Sequence, residues 1–403
     1  MAFSNTGPLR DEIARVIPSR PFTVDFWDGT SLPATENGAG PTFRVTSPKA
    51  VAQALAAPGQ LGLGRAYATG TLGVDDVDAV MALLRDWSPP AIERGDKLKL
   101  AAGAVRAAGL TMPPRAPAAE LKPKGKRHTK VRDQRAVRHH YDVSNDYFRL
   151  FLDESMTYSC AIFSRGAKTL EEAQVAKNDL VCTKLGLRDG MRIVDIGSGW
   201  GAFAIHAAKE YGTHVTGITL SEHQARGARE NAERAGVSEL VEFRVQDYRD
   251  LAGETFDAVA SIGMVEHVGE ERIDDYTRKL ASLVGPGGKV LNHGIARLRH
   301  DDPDAGPFSE RYVFPDASPI HVSRIIGSCE KASLPMQHAE DFRMDYAETL
   351  KHWAQRFDDN LDEAERLGGA ERTRVWRLYL RAARSGFETG FTGVYQVLCA
   401  KAG

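Results

Sequence analysis

The sequence predicts an α/β fold built on a doubly wound, mainly parallel sheet, preceded by a smaller α+β domain. The first observation is RIVDIGSGWG at 192–201. A β-branched strand (Ile193, Val194, Ile196) runs through Asp195 into Gly197, Gly199 and Gly201, and an apolar helix starts at Ala202. Glycines at such a turn let backbone approach a flat, polar ligand that side chains would keep away. The second observation is the sequel: VTGITLS (215–221) before a helix, then VEFRVQDY (241–248) and FDAVASIGMVEHVG (256–269), at the spacing of further strand-and-turn units. A lone G-x-G-x-G also describes a tight turn with no ligand, so the repetition of units decides for a nucleotide-type site at the strand ends. The third is a change of composition across residues 113–138, which separates this half of the chain from residues 1–112.

A chain of 403 residues has core enough for two domains. Residues 1–112 read as an α+β accessory domain. FTVDFWDGTSL alternates and carries Asp28-Gly29, a hairpin signal. TFRVTS (42–47) is another strand, and Ser47-Pro48 opens a helix. GLGRAYATGTLGVDDVDAVMALL reads as a glycine-rich turn before an apolar-periodic helix. Residues 92–112 set Ile92, Leu98, Val105 and Leu110 among Lys97, Lys99 and Arg106. A lipid surface would accept such a helix; packing on its own domain is the favoured reading.

Residues 113–138 form the linker, proline-rich at first and then basic. From Lys122 to Arg138 there are eight Lys/Arg against one acid, Asp133. A solvated linker accounts for such a run. The functional alternative is attraction to the anionic headgroups of a phospholipid membrane surface, worth about 1 kcal/mol per basic residue. Nucleic acid is disfavoured as a partner, because no aromatics interleave and no recognition helix is evident.

A net charge of −2 argues against generic polyanion binding. Cys160, Cys182, Cys329 and Cys399 are scattered, with no C-x-x-C and no ligand cluster, so no metal site is expected and a reduced, cytoplasmic setting is. The first residues lack the apolar core of a signal peptide, and no apolar run reaches membrane-spanning length. Any membrane association is then peripheral, at the inner face of the cell membrane.

Residues 139–403 form the second domain. The stretch 139–174 is dense in aromatics, histidines and short polar turns, a pattern suited to a lid over a ligand. Thr169 and Glu172 make a capping box for a helix to about Leu185. DAGPFSERYVFPDASPI (304–320) is an insertion after the fifth strand of this domain, expected to cap the pocket. Leu350, Trp353, Phe357 and Leu361 recur at helical spacing and read as core, and GVYQVLCAK (393–401) is a final strand.

HHYDVSNDYF, MTYSCAIF, TLEEAQ, DIGSGWG, VTGITLSEHQ, DYRD, GMVEHVG, YVFP and YAETLKHW carry a resemblance that runs from about His139 to Lys401. In this order they resemble the cyclopropane-fatty-acyl-phospholipid synthase family, enzymes that use S-adenosylmethionine on unsaturated lipid chains. LGLGRAYATGTLGV resembles, more loosely, the accessory domain of two-domain bacterial members. The resemblance implies a Rossmann-like class I methyltransferase domain with an antiparallel C-terminal edge strand. Ser198 stands where the family more usually has Cys, with the glycines around it kept.

The cofactor contacts follow from the same likeness. They fall on Tyr158 and Ser159, on Asp195, Gly197 and Gly199, and on Asp247 and Tyr248 beside the adenine. Thr219, Leu220 and Gln224 take the place of the acid that commonly holds ribose hydroxyls; alone, Gln224 would read as a solvent-facing helix residue. The resemblance also implies a bicarbonate ion held by Cys160, Glu266, His293, Ile295 and Tyr346. Chemically, Glu266 and His293 can relay a proton, Tyr346 can donate, and backbone groups at Cys160 and Ile295 can bind an oxyanion. Taken singly, Glu266-His267 is an ordinary polar loop and Cys160 a small buried apolar residue.

An isolated alkene is a poor nucleophile. The site must press it against the methyl group and accommodate a carbocation, which aromatic faces such as Tyr158 stabilise. Proton loss with ring closure gives a cyclopropane, whereas a hydride shift before proton loss gives an exocyclic methylene. KVLNHGIARL (289–298) is closest to the actinobacterial members that place a methylene branch on oleoyl chains, the first step towards 10-methylstearate (tuberculostearic acid). The expected reaction is transfer to an oleoyl phospholipid giving a 10-methylene chain, with cyclopropane formation as the alternative. Reducing the methylene needs a hydride donor, and with no second dinucleotide site that step falls to a separate partner reductase. A small-molecule methyltransferase is disfavoured by the His293/Tyr346 pair and the basic linker, and a non-catalytic lipid-binding protein by the intact glycine motif. Asp146 is a further carboxylate near the motif histidines, with surface capping its favoured role. Monomer and homo-oligomer both stay open.

Overall fold

A computed structural model of the chain describes residues 5–36, 40–109, 115–121, 129–130, 132–133, 144–301 and 306–403. His139, His140 and the basic residues Lys122, Lys124, Lys126, Arg127, Arg135 and Arg138 lie outside them. Contacts divide the chain into two units, residues 1–122, 306–313 and 361–385 in one and 123–305, 314–360 and 386–403 in the other. Two pieces grouped by sequence with the second half, 306–313 and 361–385, thus pack with the first.

The smaller unit carries β1 (Thr23–Asp25), β2 (Ser31–Leu32), β3 (Thr42–Val45) and β4 (Leu72–Val74) in the order β2-β1-β3-β4. β1 and β2 are the arms of the Asp28-Gly29 hairpin. Residues 60–68, read from composition as a glycine turn, are helical. The glycines serve close approach: a Cβ on Gly62 would lie 2.3 Å from the Ala57 carbonyl oxygen, and one on Gly64 2.3 Å from the Phe308 ring. Packing here outweighs the poor helix propensity of glycine. The helix 94–108 turns Gly103, Ala104 and Ala107 inward against residues 8 and 9, while Leu98 stays 67% exposed. Glu120 accepts from Arg65 Nε and Nη2 at 2.7 and 2.8 Å and holds Arg311 and Tyr312, tying 306–313 into this unit.

In the larger unit one sheet runs through β5 (Arg192–Ile196), β6 (His214–Thr219), β7 (Val241–Val245), β8 (Phe256–Ile262), β9 (Val284–Arg297), β10 (Met336–Asp341) and β11 (Thr392–Ala400). The spatial order is β10-β11-β9-β8-β5-β6-β7. The five strands from β7 to β9 are parallel, and β11 is antiparallel to both its neighbours. The chain starts at β5, winds out to β7 and returns to the other side of β5 with β8. A crevice opens where the winding reverses, at the carboxyl ends of β5 and β8. The C-terminal strand is antiparallel as expected, but β10 flanks it and makes it second from the edge. MQHAED hides β10 from a pattern search because its side chains are mostly exposed, as suits an edge strand.

Alternation along β5 sorts the core. Ile193 packs with Val181, Leu185, Phe203 and Ala207 on one face, and Val194 and Ile196 with Tyr276, Leu280 and Ile325 on the other. By the same period Asp195 shares the face of Ile193. The helix 170–185 starts at the Thr169–Glu172 capping box. The segment expected as a lid is instead a buried wall in its described part: Tyr147, Phe148, Phe151, Ala161 and Ile162 have no exposure. Its backbone is held by side chains, with Phe163 and Ser164 N–H both donating to Asp345 at 2.7 Å and Ala161 N–H to Thr349 Oγ1 at 3.0 Å. Buried irregular backbone needs such partners, and they hold it in place. Asp146 lies at the surface, paired with Arg149.

Glu120→Ala should cost about 1–2 kcal/mol, because the partly buried Arg65 guanidinium and the buried Tyr312 hydroxyl lose the acceptor they share. Urea unfolding followed by fluorescence, compared with the parent chain, measures the loss.

Candidate active site

The glycine turn after β5 is fixed by its neighbour strand. Gly197 and Ser198 N–H both donate to the Ile218 carbonyl, at 3.0 and 2.9 Å. This leaves Gly197 at φ +85° and Gly199 at φ +54°, where side chains are disfavoured. A Cβ on Gly199 would meet no protein atom within 4 Å. It would project into a cavity of about 460 Å³, of whose wall Gly199 is part. All ten residues assigned to the cofactor line that cavity: Tyr158, Ser159, Asp195, Gly197, Gly199, Thr219, Leu220, Gln224, Asp247 and Tyr248.

Their local settings differ. Thr219 Oγ1 donates to Gln224 Oε1 at 2.7 Å, and Ser221 caps the helix 222–235 through the Gln224 N–H. Gln224 is therefore a buried, oriented amide and not a solvent-facing one. The Asp247 carboxylate is engaged by Arg249, through its backbone N–H at 2.9 Å and its guanidinium at 2.6 Å. Burial raises Asp247, yet these bonds hold it below the usual carboxylate range. The Tyr158 ring stacks on Trp353, centroids 5.1 Å apart, and the Ser159 carbonyl accepts from Gln174 at 2.9 Å.

Sequence reasoning missed Lys177, Trp200, Met264 and His267 on the same wall. Lys177 had a legible signal: it lies three residues after Gln174 on the buried stripe of the helix 170–185. A lysine on an apolar stripe is seldom buried without a partner. Burial lowers Lys177 to about 8, with Asp153 and Asp195 pulling the other way. Burial likewise lifts Asp195 to about 7, against the pull of Lys177. The described part of the basic segment reaches this mouth as well. Thr129, Lys130 and Asp133 line it, and Lys130 pairs with Asp250, Arg132 with Asp316 and Asp133 with Arg249. Phe314, Pro315 and Asp316 of the insertion complete the wall.

The five residues assigned to the anion lie off this wall. Glu266 sits in a turn after β8, next to Met264 and Gly263, which do line the cavity. Burial pushes its carboxyl up to about 7, against the pull of the backbone at Glu266 itself and at Ile295. His293 is buried on β9, and its carbonyl accepts from the Gly263 N–H at 2.8 Å. Burial, then the charges of Lys177 and Lys184, drive the imidazole down to about 3, so it is neutral. Glu266 Oε2 and His293 Nε2 are both buried with no hydrogen-bond partner among the described residues. Gly294 makes room beside the first, since a Cβ there would lie 2.9 Å from Glu266 Oε2.

Phe342 joins the other members. Its ring lies parallel to that of His293, its carbonyl accepts from the Tyr346 N–H at 3.0 Å, and the same carbonyl lies 3.7 Å from the Cys160 sulfur. Burial lifts the Cys160 thiol well above its ordinary value, so it has no thiolate chemistry and offers backbone only. Tyr346 packs on Phe387 and, edge-on, on Trp353, which continues the aromatic wall from Tyr158.

Gly199→Val should lower S-adenosylmethionine affinity by about tenfold or more, because its side chain enters the cavity and strains a positive φ by about 1–2 kcal/mol. Isothermal calorimetry reads the loss, and an unchanged circular dichroism spectrum separates it from misfolding.

Residues 128–397 match the family model described as mycolic acid cyclopropane synthetase. A probable fatty acid methyltransferase of Mycobacterium tuberculosis is 36% identical, over 97% of this chain and 93% of its own length. The tuberculostearic acid methyltransferase UfaA1 of the same organism is 31% identical, over 95% of this chain and 88% of its own. The crystal structure of mycolic acid cyclopropane synthase CmaA1 complexed with SAH and CTAB superposes with a TM-score of 0.63 at 31% identity, covering 66% of this chain and 98% of that one. With the glycine turn, the cavity at the switch of strand order and this match over most of its length, the chain belongs to the mycolic acid cyclopropane synthetase family and is an S-adenosylmethionine-dependent methyltransferase.

Proposed function

We propose that the enzyme transfers a one-carbon unit to the double bond of an unsaturated phospholipid acyl chain, oleoyl in the leading case, and releases a 10-methylene chain. The observation that carries this is two buried atoms with no hydrogen-bond partner among the described residues, Glu266 Oε2 and His293 Nε2, on elements next to the Gly263–Met264 wall of the cavity. Methylation of a nitrogen or oxygen can shed its proton to water. An alkene acceptor must lose one from carbon, at a place where water would capture the cation.

When bound, S-adenosylmethionine supplies the electrophilic methyl group and bicarbonate a proton acceptor. The residues present fit such an anion, since His293 and a protonated Glu266 can each donate to an oxygen. Glu266, near 7, exchanges a proton at neutral pH with little driving force either way. The face of Tyr158, with Trp353 stacked on the ring, favours a positive charge by about 2 kcal/mol where water is excluded. Once the methyl group is on the chain, the neighbouring carbon carries the charge. A hydride shift from the methylated carbon moves that charge, and loss of a methyl proton then leaves the exocyclic double bond. Direct proton loss with ring closure would give a cyclopropane from the same site. The resemblance of KVLNHGIARL and the similarity to a tuberculostearic acid methyltransferase favour the first route. Work on acyl chains puts the enzyme at a membrane surface, and no described helix is long and apolar enough to cross one. A separate reductase would convert methylene to methyl.

Glu266→Gln should lower turnover on oleoyl phospholipid vesicles by about 100-fold while cofactor affinity stays within about twofold. Near-normal turnover would leave Glu266 a loop residue. With an oleoyl chain deuterated at both alkene carbons, the product by mass spectrometry and NMR should be a methylene with both deuteriums on the adjacent carbon. A cyclopropane with one deuterium on each carbon would reverse the product assignment and keep the acceptor.

A further inference from the structure

The geometry points to Gln396 as a positioning residue that fixes His293 in the tautomer carrying its hydrogen on Nε2. This inference rests on the proposed anion site and says how that site is oriented. Three residues lie directly opposite one another across three antiparallel strands: Glu340 on β10 faces Gln396 on β11, which faces His293 on β9. Gln396 is fully buried, and its two amide ends are chemically distinct. Lys184 Nζ, from the helix 170–185, lies 2.7 Å from Gln396 Oε1 and 2.6 Å from Glu340 Oε2. An ammonium only donates, so the amide must turn its oxygen to Lys184.

That orientation leaves the Gln396 NH₂ group facing His293 Nδ1 at 3.1 Å. An NH₂ group only donates, so Nδ1 must accept and the hydrogen must sit on Nε2. Among the described residues, Nε2 has no hydrogen-bond partner. His293 therefore presents an N–H, not a lone pair, to whatever fills that space. The imidazole serves as an oxyanion donor, and the proton lost from the acyl chain goes to another group. Glu340 and Lys184 act one step further out: they hold the amide, which holds the ring.

Histidine labelled with ¹⁵N in the full-length protein tests this, with the His293 signals assigned by their loss in His293→Ala. Long-range ¹H–¹⁵N spectra of the parent protein should show Nε2 protonated and Nδ1 bare. Gln396→Glu is nearly isosteric and places an acceptor opposite Nδ1, so the pattern should reverse. Turnover should then fall about 100-fold with cofactor affinity, by calorimetry, within about twofold. Lys184→Met releases the amide without altering Gln396 and should give a mixture of both tautomers, which keeps the test open if Gln396→Glu folds poorly. A parent ring protonated on Nδ1, an unchanged tautomer in both variants, or a reversed tautomer with full turnover overturns the inference. Full turnover in His293→Ala would instead defeat the anion-site reading, and the tautomer spectra are read independently of it.

Discussion

Water exclusion at the carboxyl ends of β5, β8 and β9 is the constraint on which the remaining chemistry depends. Four ionisable groups there are buried far enough to leave their ordinary ranges, Asp195 and Glu266 upward to about 7, Lys177 down to about 8 and His293 down to about 3. In each, loss of hydration is the leading cause, and in water none would stand where it does. A carboxyl near 7 and a neutral imidazole are what a proton-transfer site at neutral pH requires.

The chain achieves this dryness with a segment that has little regular structure. Residues 153–164 have too little secondary structure to satisfy their own backbone, so Asp345, Thr349 and Gln174 do so from two neighbouring helices. Phe342, just ahead of one of those helices, then touches Cys160, His293 and Tyr346 at once. Packing and polar satisfaction are therefore the same set of residues here. A loss at Asp345 or Thr349 would be felt in the position of Tyr158 and Cys160, on opposite sides of the wall.

Glycine does three kinds of work in this chain. Gly197 and Gly199 adopt a backbone conformation that opens a cavity. Gly294 clears room beside a carboxylate. Gly62 and Gly64 let a helix approach its neighbours in the smaller unit. A reading by composition takes the first and last of these pairs as turn signals. That succeeds for the first pair and fails for the last, because the need for closeness is set by what lies across the contact.

The parallel sheet, its glycine turn and the residues at successive strand ends were legible because they are local. Strand, turn and helix follow one another within about a dozen residues, so alternation and spacing are sufficient to read them. Every cofactor-lining assignment lies next to such a strand end or in the Tyr158-Ser159 pair. The rest depended on contacts between distant segments. Nothing near β10 announces a strand, since its polar side chains face solvent and its partner lies about fifty residues later. Lys177 stands out on the apolar stripe of its helix, but its partners Asp153 and Asp195 come from other segments. Gln396 reads as one polar residue in an apolar strand, and its meaning comes from Lys184 and His293, each about a hundred residues or more away. A side chain's type limits what it can donate or accept; which group it meets in a dry interior is settled by the fold.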